Sequence, residues 1–309
     1  MSVKKGKGHA TALITILVWG STFIALKYLL GKFQPLELLI TRFTISFLLL
    51  WMLEPKRMKS TWKDERLFFL AGLSGIAGYY TLEALALEIS QSSNVGVLVS
   101  ISPLMTALLA RLILKERLPK GFFIGCIISF IGLALMTYNG KMNLKINPKG
   151  DLLAVGAALS WAVYSITTPK IFSKGYSLIS ATRRIFMYGV LCMLPFIGIM
   201  KFQPDFSVLK DWRVTLCLFY LAGISSCGGF ISWNFAVKTL GPVTTNLYIY
   251  LIPMIAVFLG AAILHEKVTL LAIFSSLLIL LGLLITQWDT LKNARKRKKK
   301  GKFEDGAIL

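Results

Sequence analysis

The chain is poor in the groups on which most enzymes rely. Its 309 residues hold two histidines, His9 and His265, both near the ends of predicted helices. The four cysteines, Cys126, Cys192, Cys217 and Cys227, all fall in apolar segments without metal-ligand spacing. They read as small buried hydrophobes, so neither a disulfide framework nor a metal site is expected. No phosphate-cradling glycine loop of the Walker type appears, which removes direct nucleotide coupling. No cofactor is expected. Paired carboxylates and histidine clusters within the apolar runs are missing too, so an integral-membrane enzyme is the weakest of the readings. Charge of one sign is scarce: Asp and Glu total 14 against 35 Lys and Arg.

What fills the chain instead is apolar. Hydrophobic residues make up 55% of it, charged residues only 16%, and the mean hydropathy is +0.68. A water-soluble domain of this size could not cover so much apolar surface, so lipid is the expected solvent. A net charge of +21 invites a nucleic-acid reading. The positive residues lie in short runs between long apolar segments, however, which is the pattern of membrane-protein loops. Nucleic acid is therefore not an expected partner. The N-terminal Lys4, Lys5 and Lys7 before an apolar run resemble a signal peptide, but the run is too long and lacks a small-x-small cleavage site.

Apolar segments of membrane-crossing length, which takes roughly 20 residues per helix, are predicted at 10–30, 36–53, 67–87, 95–114, 121–138, 151–170, 178–200, 214–236, 244–264 and 269–287. Strands are not expected, because the runs lack two-residue alternation and an open sheet cannot satisfy its backbone in lipid. Placing the N-terminus inside puts 22 Lys and Arg in inner segments against 8 in outer loops. That bias predicts both termini in the cytoplasm of a multi-pass protein of the cell membrane. The basic tail, with its Arg295-to-Lys302 cluster, is expected to touch anionic lipid.

The chain also repeats itself. Gly8, Ala12, Leu17, Trp19, Ile24 and Arg42 recur as Gly150, Ala154, Leu159, Trp161, Ile166 and Arg184, each 142 positions later. Pro103, Leu109, Glu116 and Gly132-Leu133 recur as Pro253, Leu259, Glu266 and Gly282-Leu283, 150 positions later. Five helices per copy is an odd number, so the second copy must enter the membrane from the opposite side. The expected fold is all-α, with ten transmembrane helices as two inverted five-helix repeats around a central cavity. Its parts are a cytoplasmic N-terminus (1–9), the first repeat (10–138), an external linker (139–150), the second repeat (151–287) and a basic cytoplasmic tail (288–309). Inverted halves can exchange conformations, which suits alternating access with solute bound near the midplane.

Polar groups inside the apolar runs are few, and each is therefore informative. Glu83 lies well inside the third helix and is a candidate proton or cation site; Arg42 is its candidate ion-pair partner, in which case the two would brace the bundle. Pro103 and Pro253 remove a backbone N–H and leave the carbonyls of Val99 and Ile249 needing partners, which predicts cavity-lining bends. At helical spacing Gly96, Ser100, Pro103, Ala107 and Ala110 form a small-residue stripe. Its counterpart is Asn246, Tyr250, Pro253, Val257 and Gly260. Solute chemistry is accordingly expected from Asn246 and Tyr250, with Ser100, Trp19 and Trp161 as further cavity candidates and Tyr164 a weaker one. Glu116 and Glu266 are expected to order helix corners or to gate.

The run LVWGSTFIALKYLL, Arg42-Phe43 in the second helix and the Asn94…Pro103…Glu116 unit resemble the EamA branch of the drug/metabolite transporter superfamily. The stretch WNFAVKTLGPVTTNLYIYLIPMIAVFLGAAILHEKVT is similar to that family's second repeat, and the likeness runs to about residue 288. It implies a secondary transporter, usually an exporter of small metabolites, in which the first four helices of each half surround the cavity. Asn94 joins the cavity candidates on the strength of that unit. The fifth helices would pack at the periphery or support a homodimer. Expected partners are a small-molecule solute, membrane lipids and a coupling proton or cation. A flippase for a lipid or lipid-linked precursor shares the same expected fold and is the main alternative.

Overall fold

A computed structural model of the chain describes residues 2–138, 147–199, 203–264 and 268–305. The described residues are helical throughout, with no strand among them. Contiguous helical segments join into ten stretches: α1 (Ser2–Leu29), α2 (Pro35–Leu53), α3 (Trp62–Ile89), α4 (Ser92–Val99 and Ser102–Ile113), α5 (Phe122–Tyr138), α6 (Pro148–Phe172), α7 (Leu178–Ile199), α8 (Trp212–Leu240), α9 (242–264) and α10 (Leu270–Asp305). Seven are long and apolar enough to cross a membrane: α2, α3, α4, α6, α7, α8 and α9. Two shorter apolar helices, α5 and the Leu270–Thr286 part of α10, accompany them. At 1.5 Å per residue, the 17 residues of α5 reach about 25 Å, slightly less than a hydrocarbon core of about 30 Å.

Helix ends differ from the sequence expectation in two informative places. α1 begins at Ser2, ahead of the expected start at residue 10, and α10 continues through the basic segment to Asp305. Lys and Arg are good helix formers, and no proline follows Thr286 to stop the helix. Hydropathy finds where a helix leaves lipid, whereas backbone propensity decides where it ends.

The contacts fall into pairs that exchange the two sequence halves. α1 runs along α8, and α6 runs along α3. α1 also meets α9, as α6 meets α4; α2 packs on α7, and α5 on α10. The α5–α10 contact is made close by glycine: a Cβ on Gly125 would strike the Gly282 carbonyl, and one on Gly282 the Gly125 carbonyl. Ser129 Oγ donates to the Ile279 carbonyl across this seam at 3.2 Å. Small residues permit such approach where lipid supplies no hydrophobic drive. The outward faces of these helices carry Ile124, Ile127, Ile131, Phe274, Leu277 and Leu284, all exposed. Such a surface would aggregate in water and is the solvated face in lipid.

Two long helices are interrupted in matching places. α3 contains a π-helical turn at Leu73–Gly78 and α8 a longer one at Tyr220–Gly228. The sequence around them is also repeated: Phe68 to Gly72 and Ser74 correspond, 151 positions on, to Phe219 to Gly223 and Ser225. By the same register Glu83 corresponds to Asn234. π-turns widen the helix and are frequent at functional sites.

Candidate solute-binding cavity

The prolines of α4 and α9 act as the sequence predicts, by breaking regular helix just before them. In α4 the chain leaves α-helix at Ser100 and Ile101, and Ser100 Oγ bonds back to the Gly96 carbonyl at 2.6 Å. In α9 the interruption is a 3₁₀ segment, Leu247–Leu251. Residues at both breaks line one cavity of about 240 Å³: Val99, Ser100 and Ser102 from α4, and Ile249 and Ile252 from α9. The remaining wall is Trp19, Thr22 and Leu26 of α1, Arg42 of α2, Tyr79, Tyr80 and Glu83 of α3, Trp161 of α6 and Ser225 of α8.

The floor is aromatic. Trp19 and Trp161, equivalent by sequence, meet edge to face with centroids 5.7 Å apart. Trp233 and Phe230 of α8 support Trp19 at 5.0 and 5.6 Å, and Tyr79 and Tyr164 flank Trp161 at 5.1 Å each. Edge and tilted contacts suit ring quadrupoles and add roughly 0.5–1.5 kcal/mol per pair beyond burial. Each indole N–H is fixed differently. Trp19 Nε1 donates to the Ser225 carbonyl in the π-turn of α8, at 3.1 Å, and Trp161 Nε1 to Asn246 Oδ1 at 2.8 Å. Trp19 reaches that turn because residue 229 is glycine; a Cβ there would stand 2.7 Å from the indole nitrogen.

Two charged side chains face the cavity. The Arg42 guanidinium stacks on the rings of Phe43 and Tyr80, 4.6 and 4.9 Å from their centroids. Its side chain is buried, and Nε has no hydrogen-bond partner. Glu83 Oε1 accepts from Tyr79 Oη, one turn back on its own helix, at 3.2 Å. The expected Arg42–Glu83 ion pair does not form: among the described residues the ion pairs within 4.0 Å are Lys174–Asp64 and Arg184–Glu65. Aromatic stacking holds the guanidinium in place of the carboxylate.

A second cavity of about 440 Å³ shares Leu26, Arg42, Tyr80 and Glu83 with the first, so the two adjoin. It is bounded by Leu30, Pro35, Leu87, Glu88 and Ser92, at the end of the molecule where α1 and α3 finish and α2 and α4 begin. The solute-sized space thus opens toward that end.

The other expected cavity residues are placed otherwise. Asn246 is fully buried behind Trp161, donating also to the Pro242 carbonyl at 2.9 Å. Tyr250 is buried with Cys126 and Phe122 of α5. Asn246 is held there by Trp161 and the Pro242 carbonyl, whereas Tyr250 is turned away because regular helix has 3.6 residues per turn and 3₁₀ geometry 3.0. Five such residues rotate the face by about 100° and bring Ile249 and Ile252 to the cavity instead. Tyr164 is buried one layer out, donating to Asn234 Oδ1 at 2.7 Å. Asn94 accepts from Tyr138 Oη at 3.1 Å at the α4–α5 contact, away from the cavity wall. Pro103 is buried and Pro253 half-buried, and both shape the wall without joining it. Glu116 stands at the expected corner, where its N–H reaches the Ala110 carbonyl at 3.2 Å and Lys115 takes φ +54°. Burial raises the Glu116 carboxyl above the usual range. Glu266 lies outside the described residues.

Thr22, Ser102 and Ser225 at the wall, and Asn234 behind it, escaped the sequence reading. The repeated Ala-Gly-x-Ser of α3 and α8 was the available signal, since it aligns Asn234 with Glu83.

The sequence comparisons decide the family. The model of the EamA-like transporter family matches twice, over residues 6–138 and 148–288. The chain belongs to that family. An uncharacterized transporter of Archaeoglobus fulgidus is 24% identical over 88% of this chain and 95% of its own length. The uncharacterized transporter YyaM of Bacillus subtilis is 25% identical over 86% and 88%. A protein of Streptantibioticus cattleyicolor named as a probable terminal-alkyne amino-acid exporter is 23% identical over 97% and 100%. A solved crystal structure, 19% identical, superposes with a TM-score of 0.74 over 92% of this chain and 97% of its own, and so shares the fold. This EamA-like protein is a multi-pass membrane transporter, not an enzyme.

Proposed function

We propose that this EamA-like protein is a secondary transporter that exports a small organic solute across the cell membrane by alternating access. The observation that carries the reading is the cavity, which draws its wall from helices of both sequence halves and adjoins a wider space at the end where α1 and α3 finish. In this reading the fold is ten membrane crossings in two inverted repeats, divided near residues 139–150. The exchange-symmetric helix contacts and the paired match of the family model support it. Both termini are cytoplasmic by the distribution of Lys and Arg, so in this reading the cavity faces outward. Export is supported by the naming of the Streptantibioticus relative.

Solute binds between Arg42, Glu83, Ser100 and the rings of Trp19, Tyr79 and Trp161, and Glu83 is the group through which a proton couples. Asn246, Tyr164 and the bends before Pro103 and Pro253 hold that wall in place. Glu116 and Glu266 order the corners that follow α4 and α9. The α5–α10 pair is peripheral and is the surface that a homodimer would use. The test is movement of a labelled metabolite panel in proteoliposomes, with and without a pH gradient. Gradient-dependent movement of at least one solute, lost in Glu83→Gln, is the expected result. Movement indifferent to the gradient and to Glu83→Gln removes proton coupling, and no movement of any solute removes the transport reading.

A further inference from the structure

We infer that the groove between α2 and α7, at the end where α2 finishes and α7 begins, binds the phosphate head of an anionic glycerophospholipid. The groove shares no lining residue with the solute cavity, and lipid binding there stands whether or not a solute moves. It encloses about 410 Å³, and Arg57, Arg183 and Arg184 form its cationic side. No carboxylate among the described residues lines it. Guanidiniums gathered in one space repel one another until an anion stands between them.

Their contacts within the protein leave much of that charge uncancelled. Arg183 donates to the carbonyls of Glu54 and Lys56, the latter at 2.7 Å, and Arg184 to that of Met58. Arg184 also has Glu65 at 3.4 Å, a carboxylate that already accepts from Tyr188 and Ser60. Among the described residues neither Arg57 nor Arg183 has a carboxylate within 4.0 Å, and Glu54 is taken by Ser177 and Ser180. Arg57 is exposed. Anchoring on backbone carbonyls fixes two of the forks in advance, and a fork of parallel N–H groups matches the oxygens of a phosphate.

The other side of the groove is apolar, made by Phe47 and Trp51 of α2 and Met187 of α7. Leu48 on α2 and Leu191 and Leu194 on α7 carry that surface further along the helices, all of them exposed. A soluble anion would leave this wall bare, whereas an acyl chain covers it. The depth agrees. Arg183 lies five residues past the start of α7, about 8 Å along its axis, and each headgroup layer is about 5–8 Å thick. A choline or ethanolamine head would bring an ammonium among the guanidiniums, so a head without a cation, such as glycerol, fits better. The distribution of Lys and Arg makes this end cytoplasmic and the lipid one of the inner leaflet.

The test uses purified full-length protein in a neutral detergent, with bound lipid counted by native mass spectrometry and stabilisation read as melting temperature. The probes are phosphatidylglycerol, phosphatidylcholine with the same chains, chainless glycerophosphoglycerol and inorganic phosphate. Phosphatidylglycerol is expected to bind saturably and to act at about tenfold or more lower concentration than each of the others. Arg183→Gln also orphans two carbonyls and can fail to fold, so Arg57→Glu is the deciding variant. It is expected to abolish the preference for phosphatidylglycerol over phosphatidylcholine. Lys238→Glu makes the same change of charge at an exposed site at the same end, outside the groove, and is expected to keep that preference. Equal action of the two lipids on wild type, a preference that survives Arg57→Glu, or one lost equally in Lys238→Glu would each overturn the inference. Chainless anions as effective as phosphatidylglycerol would make the groove a site for soluble phosphates and overturn the lipid assignment.

Discussion

Glu83 and Asn234 occupy equivalent positions in α3 and α8, and they do different things. Asn234 is fully buried and knits three helices, accepting from Tyr164 of α6 and donating to Thr182 of α7 at 3.0 Å. The hydrogen bond of the Glu83 side chain stays on its own helix, and Glu83 faces open space. Their surroundings differ in the same sense. Leu26 and Leu30 line the wide cavity, while their equivalents 142 positions on, Thr168 and Phe172, are buried. One sequence design therefore carries two packings, open beside Leu26 and Leu30 and filled around Thr168 and Phe172. An amide that can donate and accept serves the filled end, and a carboxylate that only accepts when ionised serves the open one.

The filled end is also tied by charge. The segment from Glu54 to Glu65 meets the segment from Lys174 to Tyr188. Asp64 takes Lys174 and Tyr176, and Glu65 takes Tyr188 Oη at 2.6 Å and Arg184 at 3.4 Å. Arg183 reaches the carbonyls of Glu54 and Lys56, and Arg184 that of Met58 at 3.1 Å. Glu54 caps α7 from another helix, accepting from Ser177 Oγ at 2.6 Å and the Ser180 N–H at 3.1 Å.

The largest test of the contrast removes its two polar pivots. Asn234→Ala leaves Tyr164 Oη buried without its partner and Thr182 Oγ1 with the Leu178 carbonyl, and is expected to cost about 1–3 kcal/mol in detergent unfolding. Glu83→Ala frees only a Tyr79 hydroxyl beside a cavity and is expected to cost under about 1 kcal/mol. Equal losses would show that the two positions do not differ. Next come two glycines. A Cβ at Gly72 would stand 2.5 Å from the Ile185 carbonyl and 2.7 Å from the Gly189 nitrogen, backbone atoms that cannot step aside. Gly72→Ala is expected to lose about 1–3 kcal/mol. Gly96→Ala meets nothing within 4 Å and is expected to be neutral or to gain up to about 1 kcal/mol in helix propensity.

Arg184→Gln, which releases Glu65, is a smaller change. It is expected to loosen the filled end by about 1 kcal/mol or less, seen as a lower melting temperature with binding at the cavity unchanged. The smallest effect is on pH dependence. The hydrogen bonds from Ser177, with those from Ser180, hold the Glu54 carboxyl below its usual range. A depressed carboxyl stabilises the fold above the ordinary carboxylate range, and that contribution fades as pH falls through the depressed value. Glu54→Gln is therefore expected to lower the melting temperature slightly at neutral pH and to meet the wild-type profile in acid, so that the profile is flatter.

Much of this was legible in the residues. The apolar runs, the proline bends and the matched tryptophans follow from composition and repeat spacing, and each has its counterpart in the fold. The wall itself was half legible. Trp19, Glu83, Ser100 and Trp161 are there because they stand on regular helix or at a proline break. Asn246 is not, because Trp161 covers it, and Tyr250 is not, because a 3₁₀ segment turns the face of α9 and hydropathy carries no mark of that turn. The π-turns were hidden for a similar reason: an extra residue per turn leaves composition untouched and appears only in which groups meet. Ser225 shows this, since its role is played by a backbone carbonyl that any residue could supply.

The central claim is that the space beside Arg42 and Glu83 opens at one end at a time. The direct measurement is labelling by a membrane-impermeant maleimide, with Cys126, Cys192, Cys217 and Cys227 replaced and one cysteine restored at each equivalent position. Without solute, Leu26→Cys is expected to label and Thr168→Cys to be protected. A transported solute is expected to lower the first rate and raise the second. Labelling of both positions in the absence of solute, or rates that ignore a solute that moves, would contradict the account.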